Sequence, residues 1–276
     1  MTMTSAWNPL VSTHCDHGVL TISMDAADGG NALTVAMSQA LAEALEGAAR
    51  RPDVHCVVLR SSARYFCTGG NVDDMRSGAD LMQGSPDRVR ERLAEVLHRI
   101  TLATQAIEVP LIAAVNGAAV GAGFDITLMC DVRIAGHRAR FAESFLRLGL
   151  ISGIGGAWFL SRLVGLSKAL ELSFTSEFLD AQAALAAGIV TRVVPDEDLD
   201  TEVQALARRI AAAPPRALRM AKKLVRESAT ASLPTALEMA ASMQALLMAG
   251  DEHKAAVAAF LQRQAQSRAL DGTTTT

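Results

Sequence analysis

Apolar and polar positions follow one another along the chain in a unit that occurs three times: an apolar strand, a loop of small residues, and a helix. Val and Ile are frequent in the apolar runs, which is typical of strands buried on at least one face. Because such strands alternate with helices, the pattern predicts an α/β fold. The three units begin at the segments HCVVLRSS, PLIAAVNG and DVRIAGHR.

The remaining segments extend this pattern and end it. GVLTISMD predicts a strand, LTVAMSQALAEALEGAARR predicts a helix with apolar residues every three or four positions, and residues 76–108 predict a loop and an amphipathic helix. After VVPDEDLD the chain is helical, with a break at Pro214–Pro215 and a cap near Ser232. We therefore predict a core of residues 1–195 and a helical lobe of residues 196–276. Such a lobe serves subunit contact or packing within one chain.

Composition excludes several kinds of protein. The 276 residues are 50% apolar and carry a net charge of -3, with no basic cluster of the kind that nucleic-acid binders show. No apolar run reaches membrane-spanning length without a polar break, and the start of the chain has no leader pattern. The 4 cysteines are scattered, which favours free thiols. We expect a soluble cytoplasmic protein that binds neither nucleic acid nor a membrane.

Most signatures of catalytic sites are missing from the sequence. The 6 histidines show no paired spacing for zinc, and no GxSxG nucleophile motif occurs. The GxG pairs at 121–123 and 153–155 each lack the third glycine of a dinucleotide-binding loop. We therefore expect no metal and no separate cofactor.

Two turns of small residues, whose side chains do not cover the backbone N–H groups, remain as candidates for a site. Each follows an apolar strand and precedes a helix, one at Gly69 and Gly70 and the other at residues 121–123. The N-terminus of a helix has unsatisfied N–H donors and about half a positive charge. Two such donors that converge would bind an oxygen that becomes negative during a reaction. The alternative is that these glycines only let the helices pack close to the sheet.

Both turns lie in segments that resemble a known family. RYFCTGGNVDDM and PLIAAVNGAAVGAGFDITLMCDVRIAG are similar to the two most recognisable motifs of the crotonase superfamily, the enoyl-CoA hydratase/isomerase proteins. NALT, LGLISGIGGAWFLSRLVG and AAGIVTRVVP match further family segments. The similarity covers roughly residues 10–265 in order, which far exceeds a single short motif.

The resemblance implies a spiral of ββα repeats with a helical C-terminal lobe that serves trimerisation. It also implies that the protein binds acyl-CoA thioesters and assembles as a homotrimer or as a hexamer of paired trimers. In this family, two backbone N–H groups hold the thioester oxygen while an enolate forms. Carried onto this chain, those donors are Gly70 and Ala122.

The resemblance also assigns a path for the substrate. The loop of residues 29–34 aligns with the part of the family that binds the CoA nucleotide, mostly through backbone groups. Trp158 is expected to pack in the core behind the acyl group. The residues implied to line the path are Asn31, Ala32, Leu33, Cys67, Gly69, Gly121, Phe145 and Trp158.

Asp125 is the candidate acid or base. It aligns with one of the two catalytic carboxylates of family hydratases, which is usually Glu and is longer by one methylene. Its apolar neighbours, Phe124 and Ile126, favour desolvation and hence a raised pKa. The alternative is that an acid in a first helical turn only interacts with the helix dipole, a stabilisation of roughly 0.3–1 kcal/mol.

The second catalytic carboxylate of the family is missing, because Phe145 stands at its position. Glu143 lies two residues earlier and would share a face with that position if the segment is extended. Its alternative is a salt bridge to Arg140 or Arg147. An acid that some family isomerases carry in the next segment is also missing here, where Ser152 and its neighbours stand.

Three functions follow as expectations. The first is an enoyl-CoA hydratase or isomerase with Asp125 and Glu143 as acid–base residues. A single good carboxylate suits double-bond isomerisation better than hydration. The second is another reaction through the same enolate, such as thioester hydrolysis or carbon–carbon cleavage. The third is a non-catalytic acyl-CoA-binding protein, which the apolar Phe145 favours.

Overall fold

The computed structural model describes residues 10–26 and 30–272, with side chains up to residue 264. Residues 1–9, on which the expectation about a leader falls, and Gly29 of the predicted CoA loop lie outside the described residues. Contacts divide the chain into two compact units, residues 1–211 and 212–276. The sequence predicted a division after residue 195.

Two sheets form the framework of the first unit. Its strands are β1 (Val11–Asp16), β2 (Val19–Met24), β3 (Cys56–Ser61), β4 (Leu111–Val115), β5 (Ala118–Val120), β6 (Val132–Gly136), β7 (Arg140–Ala142), β8 (Leu179–Asp180) and β9 (Arg192–Val194). The main sheet has the order β1-β2-β3-β4-β6-β9, and all of its pairs are parallel except the β1–β2 hairpin. The small sheet has the order β5-β7-β8.

Helices follow the strands, as the alternating pattern predicts. The helices of the first unit are α1 (Val35–Ala49), α2 (Val72–Ser77), α3 (Pro86–Arg92), α4 (His98–Ala106), α5 (Ala122–Met129), α6 (Gly156–Val164), α7 (Leu166–Thr175), α8 (Ala181–Ala186) and α9 (Leu199–Ala211). The helices of the second unit are α10 (Pro215–Ser228), α11 (Leu233–Met248) and α12 (Asp251–Gly272).

The main sheet is buried on both faces, because side chains on a strand alternate between faces. On β3, Val57 and Leu59 belong to a core shared with α1, α4 and α5, whereas Val58 belongs to a second core shared with α9. The second core includes Leu199, Val203 and Leu206, whose spacing places them on one face of α9. This packing explains why the compact unit ends after Ala211, so α9 belongs to the core and not to the C-terminal lobe.

The second unit consists of α10, α11 and α12. The predicted break at Pro214–Pro215 is confirmed, and the side chain of Ser232 caps α11 by accepting from the N–H of Thr235 at 3.3 Å. Exposed apolar side chains such as Leu233 and Leu237 lie on α11. Subunit contact through this lobe stays a prediction. Within residues 10–26 and 30–272, no helix combines the length and the apolar character needed to cross a membrane.

Candidate active site

Two backbone turns meet at the edge of the small sheet. The segment before the first turn pairs with β5, since the N–H of Cys67 donates to the carbonyl of Ala118 at 3.1 Å and the N–H of Val120 donates to that of Cys67 at 3.0 Å. A Cβ added at Gly69 would lie 2.6 Å from the Val120 carbonyl oxygen and 3.5 Å from the Ala122 nitrogen. Side chains are therefore excluded where the two turns touch, so close packing is one reason for these glycines.

The second turn opens a helix. Gly121 has φ 52°, a value that favours glycine, and it is the residue before the first turn of α5. Its own N–H donates to the Ala142 carbonyl at 2.8 Å. Neither the Gly70 N–H nor the Ala122 N–H donates to any acceptor in the part of the chain that the structure describes. The two predicted donors therefore belong to adjoining turns and are not engaged with neighbouring peptides.

Strand pairing brings a second segment to the same edge. β5 and β7 run parallel with Val120 opposite Ala142. Gly121 and Glu143, the next residues, therefore leave the small sheet side by side. Asp125 lies one helical turn after Gly121, and its carboxyl lies close enough to that of Glu143 for each to shift the pKa of the other.

Asp125 is fully buried, at 0% exposure. The Ser152 hydroxyl donates to its Oδ2 at 2.7 Å, and the same hydroxyl oxygen accepts from the Gly156 N–H at the start of α6 at 2.8 Å. Burial raises the pKa of Asp125 well above its usual range, and hydrogen bonds with Ser152, Glu143 and the Gly156 N–H offset part of the rise. A desolvated carboxyl of this kind is suited to taking and returning a proton near neutral pH.

Glu143 is also buried, at 5% exposure. Burial raises its pKa, and the neighbouring charge of Asp125 and the hydrogen bond to it raise this pKa further. The alternative of a salt bridge is wrong for the described residues. Arg140 donates to the carbonyls of His137 and Ala139, and Arg147 donates to that of Ser176.

Phe145 lies beside the second turn. It begins a short 3₁₀ helix, so the segment from Glu143 is not extended and the expected shared face does not form. The Phe145 ring is half-buried, and its nearest carbon lies 3.6 Å from a Cβ added at Gly121. An apolar surface therefore stands where family hydratases have their second carboxylate.

The predicted CoA loop is held by Asn31. Asn31 is fully buried, and its backbone has φ 49°. Its side-chain oxygen accepts from the Ala26 N–H at 2.9 Å, and its side-chain amide donates to the Ser61 hydroxyl at 2.7 Å. The same amide donates to the carbonyls of Met24, Tyr65 and Phe66. The Asn31 side chain therefore stabilises the loop and is not available to a ligand.

The other predicted lining residues differ in exposure. Leu33 is buried and pairs with Gly70, and Ala32 between Asn31 and Leu33 is half-buried. The Cys67 thiol donates to the Asn31 carbonyl at 3.1 Å, and burial raises its pKa to about 12. Trp158 is 53% exposed, with Arg162 stacked on its ring at 3.9 Å. The expectation that Trp158 packs in the core is therefore wrong.

Sequence reasoning missed two residues that hold Asp125. Ser152 was noted only as one of the residues in a segment where an acid is missing, although its hydroxyl is the donor to Asp125. Gly156 is the other, because a Cβ there would lie 1.9 Å from Asp125 Oδ1. The sequence signal for Gly156 was its place at the start of a helix. Its partner Asp125, whose carboxyl occupies the place of a Cβ at Gly156, is 31 positions away in sequence.

We expect Gly156→Ala to displace the Asp125 side chain, because the new methyl group would overlap both carboxylate oxygens. A displacement of about 1 Å lowers turnover by about 10²-fold in studied enzymes. The control is Gly153→Ala in the same segment, where a Cβ meets nothing within 4 Å. Equal rates of acyl-CoA turnover for the two variants, measured beside their melting temperatures, would contradict the assigned contact.

Within the described residues, no group of three or more His, Cys, Asp and Glu side chains lies close enough together to hold a metal ion. All four cysteines are free thiols, as the sequence predicted.

Comparison with known proteins gives a consistent result. A family model described as enoyl-CoA hydratase/isomerase matches residues 14–267. The chain is 34% identical to 2,3-dehydroadipyl-CoA hydratase of Escherichia coli, over 89% of this chain and 93% of that protein. It is 30% identical to 1,2-epoxyphenylacetyl-CoA isomerase of the same organism, over 92% of this chain and 96% of that protein.

Solved structures agree with the sequence comparisons. The crystal structure of an enoyl-CoA hydratase from Mycobacterium smegmatis superposes with a TM-score of 0.85 at 33% identity. The match covers 93% of this chain and 97% of that one. The predicted fold class is thereby confirmed.

Proposed function

The chain belongs to the enoyl-CoA hydratase/isomerase family, and on that premise we propose that it moves a proton on an acyl-CoA thioester through a bound enolate. Its membership makes it an acyl-CoA enzyme of the hydratase/isomerase type. The observation that carries the finer proposal is the buried Asp125 carboxyl, one helical turn from two adjoining backbone turns with free N–H groups.

The Gly70 and Ala122 N–H groups bind the thioester oxygen in this proposal. As a proton leaves Cα, negative charge develops on that oxygen, and both N–H groups donate to it. The N-terminus of α5 adds the positive end of a helix dipole at Ala122. Each donor of this kind contributes roughly 2.7–4 kcal/mol of transition-state stabilisation in studied enzymes.

Asp125 moves the proton. As a carboxylate it removes a proton from C2 of a 3-enoyl-CoA, and the C–H electron pair passes into a dienolate. The protonated Asp125 then returns the proton to C4, which leaves a 2-enoyl-CoA and restores the carboxylate. The step needs one carboxylate and no water, which suits a site with Phe145 at the position of the second acid.

Hydration is the second candidate, because a second carboxyl, that of Glu143, lies beside Asp125. Two carboxyls could activate one water for addition at C3 and supply the proton at C2. Of the two Escherichia coli relatives, one is a hydratase by name and the other an isomerase, at similar identity, so relatedness does not choose between the reactions. Thioester hydrolysis, carbon–carbon cleavage and simple acyl-CoA binding remain the alternatives.

Further parts of the proposal concern binding and assembly. Backbone groups of residues 30–33 line the CoA path, with Cys67, Gly69 and Gly121 beside it and Phe145 and Trp158 toward the acyl end. The protein acts in the cytoplasm without a metal or separate cofactor. The helical C-terminal lobe forms the contacts of a homotrimer or of a dimer of trimers.

The test is a pair of assays on the full chain, with crotonyl-CoA for hydration and a 3-enoyl-CoA for isomerisation. We expect turnover of the 3-enoyl-CoA at a higher kcat/KM than hydration of crotonyl-CoA. Faster hydration would select the two-carboxylate candidate. Tight binding of CoA esters without turnover of either substrate would select the binding protein and overturn the proposal.

A further inference from the structure

Asp125 and Glu143 form a contact that requires a proton. Both side chains are buried, at 0% and 5% exposure, and the two carboxyls lie close enough for each to shift the pKa of the other. An ionised carboxylate only accepts hydrogen bonds, so one of the two must be protonated to donate. Among the described residues, no donor reaches Asp125 Oδ1 or Glu143 Oε2. Two buried oxygens without donors are explained if a proton lies between the two carboxyls.

No described cation forms an ion pair with these carboxyls. The charged and titratable side chains on the elements packed around them have other partners, and Arg99 on α4 forms an ion pair with Glu46. Arg133 on β6 donates to the carbonyls of Thr127, Cys130 and Ile189, and Asp180 on β8 caps α8. The remaining groups bound to backbone atoms are Arg140, Arg147, Arg162 on α6 and His98 on α4.

The surroundings of the two carboxyls are unequal. Asp125 accepts from the Ser152 hydroxyl at 2.7 Å, and the Gly156 N–H at the start of α6 supports that hydroxyl. The start of a helix also favours negative charge. Glu143 has no comparable donor among the described residues. Hydrogen bonds stabilise the ionised form of the group that accepts them, so the negative charge belongs on Asp125 and the proton on Glu143.

We propose that Asp125 and Glu143 form a dyad that holds one proton, in which protonated Glu143 donates to ionised Asp125 and positions it. This inference rests on the proposed function of Asp125 as the base. Glu143 is a positioning residue in the dyad and does not exchange its proton with the substrate. The dyad then transfers one proton per turnover, from C2 to C4 through Asp125, which favours double-bond isomerisation over the addition of water.

Two substitutions at Glu143 test the assignment. Glu143→Leu removes the donor, and we expect kcat to fall by about 10²-fold because Asp125 loses its orientation. Glu143→Gln keeps a neutral donor in the same place, and we expect it to recover most of that loss. If Glu143 supplied its proton to the substrate, both variants would lose about 10²–10⁴-fold, and that result would overturn the proposal.

The pH dependence of kcat/KM gives a readout that a merely structural residue would not change. The natural protein should lose activity at low pH, where Asp125 is protonated, and again at high pH, where Glu143 loses its proton. Glu143→Gln should keep the acid limb and lose the alkaline limb, because an amide has no proton to lose in this range. Persistence of the alkaline limb in this variant would contradict the dyad.

Stability gives a second readout that needs no turnover. The pKa of Glu143 is raised in the folded protein above about 4.3, its value in an unfolded chain. The folded state therefore binds more protons than the unfolded state above that pH, and stability falls as pH rises toward the raised folded pKa. Between pH 5 and pH 9, the melting temperature of Glu143→Gln should fall less than that of the natural protein. An unchanged slope would overturn the dyad.

Infrared difference spectra separate the two proposals. The resting natural protein at pH 7 should show the carbonyl band of a protonated carboxylic acid, and Glu143→Gln should lose it. If the band is present but no acyl-CoA is turned over, the dyad stands and the proposed function fails. If the natural protein isomerises a 3-enoyl-CoA and the band is absent, the function stands and the dyad fails.

Discussion

Replacing Asp125 with Asn is expected to lower kcat for the 3-enoyl-CoA by about 10²–10⁴-fold, the range that a positioned acid or base contributes. Asn has nearly the same shape, and its amide can still accept from Ser152 and donate toward Glu143. The substitution therefore removes the proton-accepting charge and keeps the packing. The measurement is steady-state turnover beside the affinity for a CoA ester, which should change little because the backbone donors are untouched.

Stability should follow the same reasoning. Removal of one of two acids in a buried pair relieves the need to bury a shared charge, so we expect the melting temperature of Asp125→Asn to be at least that of the natural protein at pH 8. Asp87→Asn, an exposed change in the first turn of α3, is the matched control and should leave turnover unaltered. A loss of less than about tenfold in Asp125→Asn would remove Asp125 from the role of base.

The parts of the site that the sequence predicts depend on residues that are close to one another in sequence. Gly70, Ala122 and Asp125 each follow a strand within a few residues, and the motifs carry their spacing. The turn at Gly121 and the apolar neighbours of Asp125 were readable, since φ preference and desolvation depend on adjacent residues. The structure supports the alternative of close packing at these turns, because a Cβ at Gly123 would lie 2.2 Å from the Cys67 carbonyl oxygen.

The contacts that were not predicted join segments that are far apart in sequence. Glu143 was itself a candidate for the site, but on the premise of an extended segment, which the structure does not have. Glu143 reaches Asp125 because β5 and β7 pair side by side, and strands of three residues carry too little pattern to reveal a partner. Ser152 meets Asp125 only when α6 packs on α5. Both contacts are properties of the folded core.

The other two differences between prediction and structure, the exposure of Trp158 and the packing of α9, depend on which face of a helix is buried. On α6, Leu160 points inward at 0% exposure, and Trp158, two positions earlier, lies on another face of the helix. A large aromatic residue in an apolar segment was therefore a poor guide to burial. On α9, composition resembles the C-terminal helices, whereas the spacing of Leu199, Val203 and Leu206 matches a helix packed on a sheet.

Replacing Gly123 with Ala is expected to have the largest effect on the fold of the site. Its Cβ would lie 2.2 Å from the Cys67 carbonyl oxygen and 2.8 Å from the Cys67 carbonyl carbon and Cβ. No rotamer relieves a clash with backbone, so α5 and the segment before the first turn must separate. Overpacking of this kind destabilises by about 1–3 kcal/mol, and a shift near 1 Å at Ala122 would lower turnover by about 10²-fold.

Gly47→Ala separates this clash from the general effect of adding a methyl group to a helical glycine. Gly47 lies within α1, and a Cβ there meets nothing within 4 Å, so Ala should stabilise the helix by about 0.5–1 kcal/mol. Thermal unfolding should therefore move in opposite directions for the two variants, with turnover lost only in Gly123→Ala. If Gly123→Ala instead has the same melting temperature and the same rate of acyl-CoA turnover as Gly47→Ala, the two turns tolerate separation. The Gly70 and Ala122 N–H groups would then not act together on one oxygen.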